Sequence, residues 1–172
     1  MSPQTFKIRR EILVPFGIIA VLMLILLVMA LAGKGSVMER TVLAVITLTI
    51  TALFLEARNR RVTMTDQGVS FRKFLQGKDI SWGDISHVGC VIVRSKVYLL
   101  LTTTRGFMIL SNAYGDFVSL IGEIVQHIDP DKVDEDVRNQ VENHVKNRTD
   151  IVSLWIAVTI IFAMIILKLL FA

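Results

Sequence analysis

Acidic side chains form the densest group of residues in this chain that could do chemistry. Five carboxylates fall in the short run from 129 to 136: Asp129, Asp131, Asp134, Glu135 and Asp136. Such a density could bind Ca²⁺, but the run lacks the glycine and the distal glutamate of an EF-hand loop. Acidic residues also favour the first turn of a helix, where they complement the helix dipole. We therefore interpret this run as a helix start.

His87 and Cys90 are the other candidate metal ligands. No second cysteine is available, and the remaining histidines, His127 and His144, fall on predicted helices. A structural zinc site from these residues is therefore not expected. The sequence also holds no nucleophile elbow, phosphate-binding loop or dinucleotide fingerprint. We predict no metal, no cofactor and no enzymatic activity.

Basic side chains are concentrated in one part of the chain. Residues 57–96 hold eight Lys or Arg against three Asp or Glu, whereas residues 129–150 hold four against seven. Near a bilayer each basic residue attracts anionic lipid by about 1 kcal/mol. The candidate lipid-headgroup ligands are Arg58, Arg60, Arg61, Arg72, Lys73 and Lys78. The alternative is that this cluster only sets membrane topology. No nucleic-acid-binding motif accompanies it, so nucleic acid is not an expected partner.

Three apolar segments are predicted to hold these groups at a membrane. The chain has 172 residues, of which 53% are hydrophobic, and a helix needs about 20 apolar residues to cross a bilayer. The predicted spans are residues 12–32, 41–55 and 150–172. The second is short, so an amphipathic or re-entrant segment is the alternative there. The first is longer than the core of a signal peptide, and we interpret it as an uncleaved anchor.

The distribution of Lys and Arg beside the spans predicts the orientation. Larger basic groups flank the start of span one, the end of span two and the start of span three, while the turn between spans one and two carries only Lys34 and Arg40. Cytoplasmic flanks carry the excess of Lys and Arg. We therefore expect the N-terminus and the region between spans two and three in the cytoplasm, and the C-terminus outside.

The region 58–128 has the pattern of a small β domain followed by a helix. Six short segments alternate apolar and polar residues and are separated by turn residues such as Gly68, which predicts an antiparallel meander. From Asp116, a plausible N-cap, to Ile128 the apolar residues recur at helical spacing. This helix is predicted to close the open end of the sheet, and the alternative is that it lies on the membrane surface. Trp82 is expected to anchor the core or its rim, with a partner for its N–H.

Three stretches of this region resemble a known family. They are "VTMTDQGVSFRK", "DISWGDISHV" and "GFMILSNAYGDFVSLIGEIV". With them, residues 60–128 resemble the bacterial pleckstrin-homology-like (PH-like) domains of small membrane proteins. The resemblance implies a β-sandwich or barrel, a closing C-terminal helix and no catalytic residues. Lipid-binding members of the wider fold use basic residues around their first hairpin, and Arg61, Arg72 and Lys73 lie on similar ground here.

Two further residue sets are predicted to make contacts. A charged helical linker over residues 129–149 carries an apolar stripe that could dock along the sheet or pair with a second copy: Val133, Val137, Val141 and Val145. Small and hydroxyl residues in spans two and three could let helices approach closely. They are Ala44, Thr47, Thr51, Ser153, Ala157, Thr159 and Ala163.

Together these patterns predict an α+β membrane protein. Residues 1–57 form a two-span helical hairpin, 58–128 a cytoplasmic PH-like antiparallel sandwich or partly open barrel with its closing helix, 129–149 the linker, and 150–172 the third span. The expected function is a membrane-anchored interaction module. It would serve as an accessory or scaffold subunit in a bacterial inner membrane, bound to another membrane protein or to its own copies. The alternative is recognition or handling of an anionic lipid, through the basic first hairpin or a cavity under the closing helix.

Overall fold

A computed structural model describes residues 3–33, 36–74, 77–93, 96–104, 106–142 and 149–170. It divides the chain into two compact units. The sheet unit comprises Met1–Arg9 and Asn59–Arg148, and the helix unit comprises Arg10–Arg58 and Thr149–Ala172. The sequence predicted residues 1–57 as one helical hairpin, whereas here the first nine residues belong with the sheets.

The described residues contain five α-helices and seven strands. The helices are α1 (Arg10–Ala32), α2 (Val37–Asn59), α3 (Phe117–Gln126), α4 (Glu135–Glu142) and α5 (Thr149–Leu170). The strands are β1 (Gln4–Lys7), β2 (Arg61–Thr65), β3 (Gly68–Arg72), β4 (Gly77–Ser81), β5 (Ile85–Val93), β6 (Lys96–Thr103) and β7 (Gly106–Ser111). Short 3₁₀ turns lie at Trp82–Asp84 and Pro130–Lys132.

Three helices, α1, α2 and α5, are long and apolar enough to cross a membrane. The predicted second span, 41–55, extends in both directions to a helix of 23 residues. At 1.5 Å per residue this helix is about 35 Å long, which exceeds the ~30 Å hydrocarbon core of a bilayer. The three helices indicate a multi-pass membrane protein.

Within the helix unit, side chains of α1 contact both other helices. Ile19, Met23 and Leu26 of α1 are buried, as is Ile165 of α5. The hydroxyl of Thr47 in α2 donates to the carbonyl oxygen of Met23 at 3.4 Å. Apolar packing and a hydrogen bond therefore both contribute to this unit.

One ion pair joins α5 to the start of α2. The Nζ of Lys168 lies 2.5 Å from Oε1 of Glu39, and both side chains are partly buried. Lys168 lies in the last turn of α5. In the structure it is neutralised by Glu39, so its charge is satisfied within the protein.

The strand β1 is the main feature of the fold that the sequence did not predict. It pairs antiparallel with β2, and Lys7 lies opposite Arg61. Phe6 and Ile8 are buried, with 7% and 9% of their surface exposed. The backbone N–H of Gly115 also donates to the carbonyl oxygen of Lys7 at 2.8 Å. The short "TFKI" alternation fits a strand, but its partner lies beyond the whole α1–α2 hairpin in sequence.

The seven strands form two antiparallel sheets, with orders β1-β2-β3-β4 and β5-β6-β7. Neither sheet closes into a barrel within the described ranges. The inner faces of the two sheets share one core with residues of α3. The strands contribute Val62, Val88 and Leu99 to this core. The sandwich alternative therefore describes the arrangement better than the barrel.

A 3₁₀ turn at Trp82–Asp84 separates the two sheets. The indole Nε1–H of Trp82 donates to the carbonyl oxygen of Thr65 at 3.0 Å. Its ring stacks on His127, with centroids 4.6 Å apart. The prediction that Trp82 anchors the rim of the core and has a partner for its N–H is confirmed.

The helix α3 buries its apolar face in the core of the sheet unit. Leu120, Ile121 and Ile124 are fully buried there, so the prediction of a closing helix is confirmed and the membrane-surface alternative is wrong. Asp116 is the N-cap residue, but its side chain makes no capping hydrogen bond. Its backbone is left-handed (φ 51°, ψ 51°), whereas a capping side chain usually sits on extended backbone.

The linker after α3 docks on the sheet unit. Val133 forms an isolated bridge with Val88 of β5, and Val133 and Val137 both join the core. Of the two predicted uses of the valine stripe, these residues therefore serve docking. The side chain of Val141 and the whole of Val145 lie outside the described residues.

Gly68 is required for a different reason from the one its turn position suggested. It does not have a positive φ. Instead, a Cβ at this position would lie 2.0 Å from the carbonyl oxygen of Ile80 in β4. The close approach of β3 and β4 therefore excludes any side chain here.

We predict that Phe6→Ala destabilises the sheet unit, because Phe6 is a core residue of β1. Truncation of a buried Phe costs about 3–5 kcal/mol of unfolding free energy. The matched control is Thr5→Ala, an exposed change in the same strand with an expected effect within about 0.5 kcal/mol. The measurement is urea unfolding of the full-length protein in mild detergent, with near-UV circular dichroism as the signal that reports unfolding. Equal effects of the two substitutions would contradict the assignment of residues 4–7 to the sheet.

Candidate functional site

Three basic side chains form a row across the outer face of the first sheet. In the strand register, Lys7 lies opposite Arg61, and Arg61 lies opposite Arg72. Residues that face each other across antiparallel strands point to the same side of a sheet, and all three are exposed. We call Lys7, Arg61 and Arg72 the basic row. Lys7 was not among the predicted lipid ligands because β1 was not predicted.

The other predicted lipid ligands lie apart from this row. Lys78 on β4 pairs with Phe71, whose side chain is in the core. Lys78 is therefore on the same side of the sheet as Phe71 and not on the outer face with the basic row. Lys73 follows β3 and is exposed, and Arg58 belongs to the last turn of α2 in the helix unit. Arg60 lies near Tyr114: burial raises the pKa of the Tyr114 phenol, and the charge of Arg60 partly opposes this rise.

Like charges directly opposite each other destabilise a sheet. Neither Arg61 nor Arg72 has an acidic partner among the described residues. The row therefore does not contribute to the stability of the fold, and its arrangement suits an anion supplied from outside.

The rest of this outer face is polar. The hydroxyls of Thr5 and Thr63 lie 3.3 Å apart. The hydroxyl of Ser70 donates to the carboxylate of Asp79 at 2.6 Å. An antiparallel sheet that faces water on one side has this composition, so the outer face of the first sheet is suited to solvent.

The outer face of the second sheet carries a contiguous group of apolar residues, although Lys96, Thr102 and Ser111 have the same parity. The register places Val91 beside Tyr98, and Leu100 beside Ile109. The members of this surface are Val91, Val93, Tyr98, Leu100, Phe107 and Ile109. Phe107 and Ile109 expose 66% and 54% of their surface. We call this surface the apolar outer face. A sheet face in contact with water usually carries polar residues, and this one does not follow that pattern.

The predicted chemical groups lie at one edge of this sheet. Nε2 of His87 is 3.3 Å from Oδ2 of Asp134. Burial, followed by the charges of Asp136 and Asp134, raises the pKa of the Cys90 thiol. A raised pKa lowers the thiolate fraction at neutral pH, which makes this thiol a weak nucleophile. No group of three His, Cys, Asp or Glu side chains that could hold a metal occurs in the described ranges.

The residues predicted for helix association are divided by the structure. Thr47 is buried within the helix unit, and the hydroxyls of Thr51 and Thr159 donate to carbonyl oxygens of their own helices. Ala157 is half-buried. Ala44, Ser153, Thr159 and Ala163 are exposed. The face around Thr47 is thus used within the chain, while the exposed set remains a prediction for contacts between chains.

No protein-family model, curated protein or solved structure matches this chain. The functional assignment therefore depends on the geometry of the described residues.

The basic row predicts a salt-dependent gain in stability on substitution. Arg72→Gln removes a like-charge contact with Arg61, which corresponds to about 0.2–1 kcal/mol. The midpoint of thermal unfolding of the full-length protein should therefore rise at low salt. The gain should vanish at 1 M salt, where the Debye length falls to about 3 Å. The control is Lys78→Gln, which removes the same charge from a position opposite Phe71. An equal gain in the control would show that only net charge matters.

Proposed function

We propose that this protein is a non-enzymatic, membrane-anchored interaction module that docks another membrane protein. The observation that carries the proposal is the apolar outer face. Its residues are placed side by side by the strand register, and Phe107 and Ile109 are among the most exposed large apolar side chains of the sheet unit. Contiguous exposed apolar surface on a folded domain marks an interaction site.

The contrast between the two outer faces supports this assignment. The first sheet presents hydroxyls and charges outward, while the second presents aliphatic and aromatic side chains. Both sheets share one core, so packing within the sheet unit does not require apolar residues on either outer face. A partner that covers the apolar outer face removes the unfavourable free energy of exposing these side chains to water.

We infer that the sheet unit is a PH-like domain. The resemblance implied a β-sandwich or barrel with a closing C-terminal helix, and two antiparallel sheets that share one core with α3 support that inference. The resemblance implies no catalytic residues in such a domain. The α1–α2 hairpin then lies within the connection between the first two strands of the domain.

The pairing of β1 with β2 also supports the proposed orientation. The strand before α1 and the strand after α2 belong to one sheet, so they occupy the same side of the membrane and α1 and α2 cross it as a pair. The Lys and Arg excess beside these helix ends favours the cytoplasm. We propose a bacterial inner-membrane protein whose sheet unit is cytoplasmic and whose C-terminus is outside.

A photo-crosslinking amino acid at Ile109 tests the docking proposal. In cells, the full-length protein with the probe at 109 should form an adduct with one protein of defined mass. The same probe at Ser70, on the polar outer face of the first sheet, is the matched control and should not. Adding Val91→Glu should reduce the adduct at 109 by more than tenfold, because a carboxylate buried without a partner costs more than 1.4 kcal/mol. Adducts of equal yield at both positions, or with lipid alone, would contradict the proposal. A self-adduct would identify a second copy as the partner.

Recognition of anionic lipid is a second proposal, and the basic row favours it. Lys7 lies three residues before α1 and Arg61 lies two residues after α2 in the sequence. Each residue spans at most about 3.6 Å, so both remain close to the ends of helices that would cross the bilayer. Phosphate groups at that level would neutralise the repulsion within the row.

This second proposal predicts that Arg61→Gln/Arg72→Gln weakens the retention of phosphatidylglycerol by the full-length protein. The bound lipid is counted by native mass spectrometry after purification in mild detergent. The Lys78→Gln variant serves as control for a change of surface charge. Unchanged retention in the double variant would leave the basic row without a lipid role.

A further inference from the structure

A groove in the helix unit has two arginines at one end. It encloses about 590 Å³ and is lined by α1 from Leu13 to Leu22 and by Phe54 of α2, with Arg10 and Arg58 at its mouth. This volume lies within the range of about 300–1,000 Å³ that is typical of small-molecule sites. Apart from the two arginines, the lining residues are apolar or glycine.

The shape of the groove follows from one glycine and one aromatic ring. A Cβ at Gly17 would lie 3.1 Å from Cε2 of Phe54, so a side chain at this position would press against the ring. Phe54 is held edge-to-face against Phe16, with centroids 5.9 Å apart. The ring forms one wall, and the missing side chain at Gly17 leaves the floor open. Val14 and Val21, which are 54% and 58% exposed, open the groove toward its surroundings.

Arg10 is the first residue of α1 and Arg58 lies in the last turn of α2. Both guanidinium groups therefore lie at the same end of the hairpin. Neither has a hydrogen-bond or ion-pair partner among the described residues. Guanidinium groups bind phosphate with paired, charge-assisted hydrogen bonds, so two of them in the lining of one groove match a phosphate in charge.

The length of the groove matches one leaflet of a bilayer. From Arg10 to Leu22 the helix rises about 18 Å at 1.5 Å per residue. Half of the ~30 Å hydrocarbon core is about 15 Å. An acyl chain that starts at the arginines would therefore follow the apolar lining to near the bilayer midplane.

We propose that this groove binds one anionic phospholipid, with its phosphate between Arg10 and Arg58 and one acyl chain along α1 against Phe54. The groove belongs to the helix unit, whereas the apolar outer face and the basic row belong to the sheet unit. A lipid held there covers the apolar lining of the groove and neutralises two charges that have no partner among the described residues.

Native mass spectrometry of the full-length protein in mild detergent tests this site. Phosphatidylglycerol is titrated against phosphatidylcholine of the same chain length, and the anionic lipid should bind more tightly. Arg10→Gln/Arg58→Gln should weaken binding of phosphatidylglycerol about thirtyfold, the fold-change that corresponds to about 1 kcal/mol for each basic side chain. The phosphatidylcholine affinity should stay as in the wild type.

A second pair of variants tests the acyl-chain part of the site. Val21→Trp fills the groove and should remove one phosphatidylglycerol from the number retained by the protein, because it blocks this site alone. Val28→Trp is the matched control, because Val28 is 59% exposed and lies two turns further along the same helix, outside the groove lining. It should bind lipid as the wild type does. If the arginine variant does not yield folded protein, this pair decides by itself.

Several outcomes would overturn the proposal. They are equal affinity for the two lipids, full phosphatidylglycerol retention in Arg10→Gln/Arg58→Gln or in Val21→Trp, and loss of lipid in Arg61→Gln/Arg72→Gln with retention in the groove variants. A dimer that carries no lipid would show that a second copy covers the groove. Failure of the docking proposal leaves this test unaffected, since neither variant pair alters the apolar outer face.

Discussion

The pairing of β1 with β2 is the constraint on which the rest of the structure depends. The chain leaves the first sheet at Lys7, forms the α1–α2 hairpin, and returns to that sheet at Arg61, which is the pairing partner of Lys7. A strand pair whose connection is a helical hairpin has no short turn to fix its register. The register is set instead by the buried side chains on the inner face, where Phe6 lies opposite Val62 and Val62 lies opposite Phe71. The backbone N–H of Arg9 donates to the carbonyl oxygen of Ala113, and that of Gly115 donates to the carbonyl oxygen of Lys7, so residues 113–115 hold the other edge of this segment.

The register of β1 and β2 determines which basic side chains lie on the outer face of the first sheet. Because Phe6 faces the core, its neighbour Lys7 must face outward, and the same parity brings Arg61 and Arg72 beside it. Like charges placed side by side lower the stability of the fold, and native proteins accept such a loss at functional positions. In the helix unit, by contrast, Lys168 of α5 forms an ion pair with Glu39 of α2. Lys168 is thus neutralised within the helix unit, whereas Arg10 and Arg58 have no ion-pair partner among the described residues.

The apolar outer face has a different origin. On β6 the buried residues Val97, Leu99 and Leu101 alternate with Tyr98 and Leu100, so the centre of the strand is apolar on both sides. A strand of this kind is ordinarily covered on both faces. In the described structure only the inner face is covered, by the first sheet and α3. The proposed role as a docking module follows from this difference, and the membrane helices would hold the docking surface at a fixed distance from membrane partners and raise its effective concentration.

The sequence by itself determined the elements whose signal is local. The three spans, the amphipathic helix α3 and the strands from β2 onward could all be predicted, because a long apolar run, a helical period or an alternation is visible in one segment. The basic residues of the candidate site were also visible, apart from Lys7. The tertiary structure alone decided that β1 exists, that the strands separate into two sheets, that Lys7, Arg61 and Arg72 form a row, and that Arg10 and Arg58 share one groove. Each of these depends on the register or packing of segments far apart in sequence, and the buried contacts that set them exist only once the chain has folded.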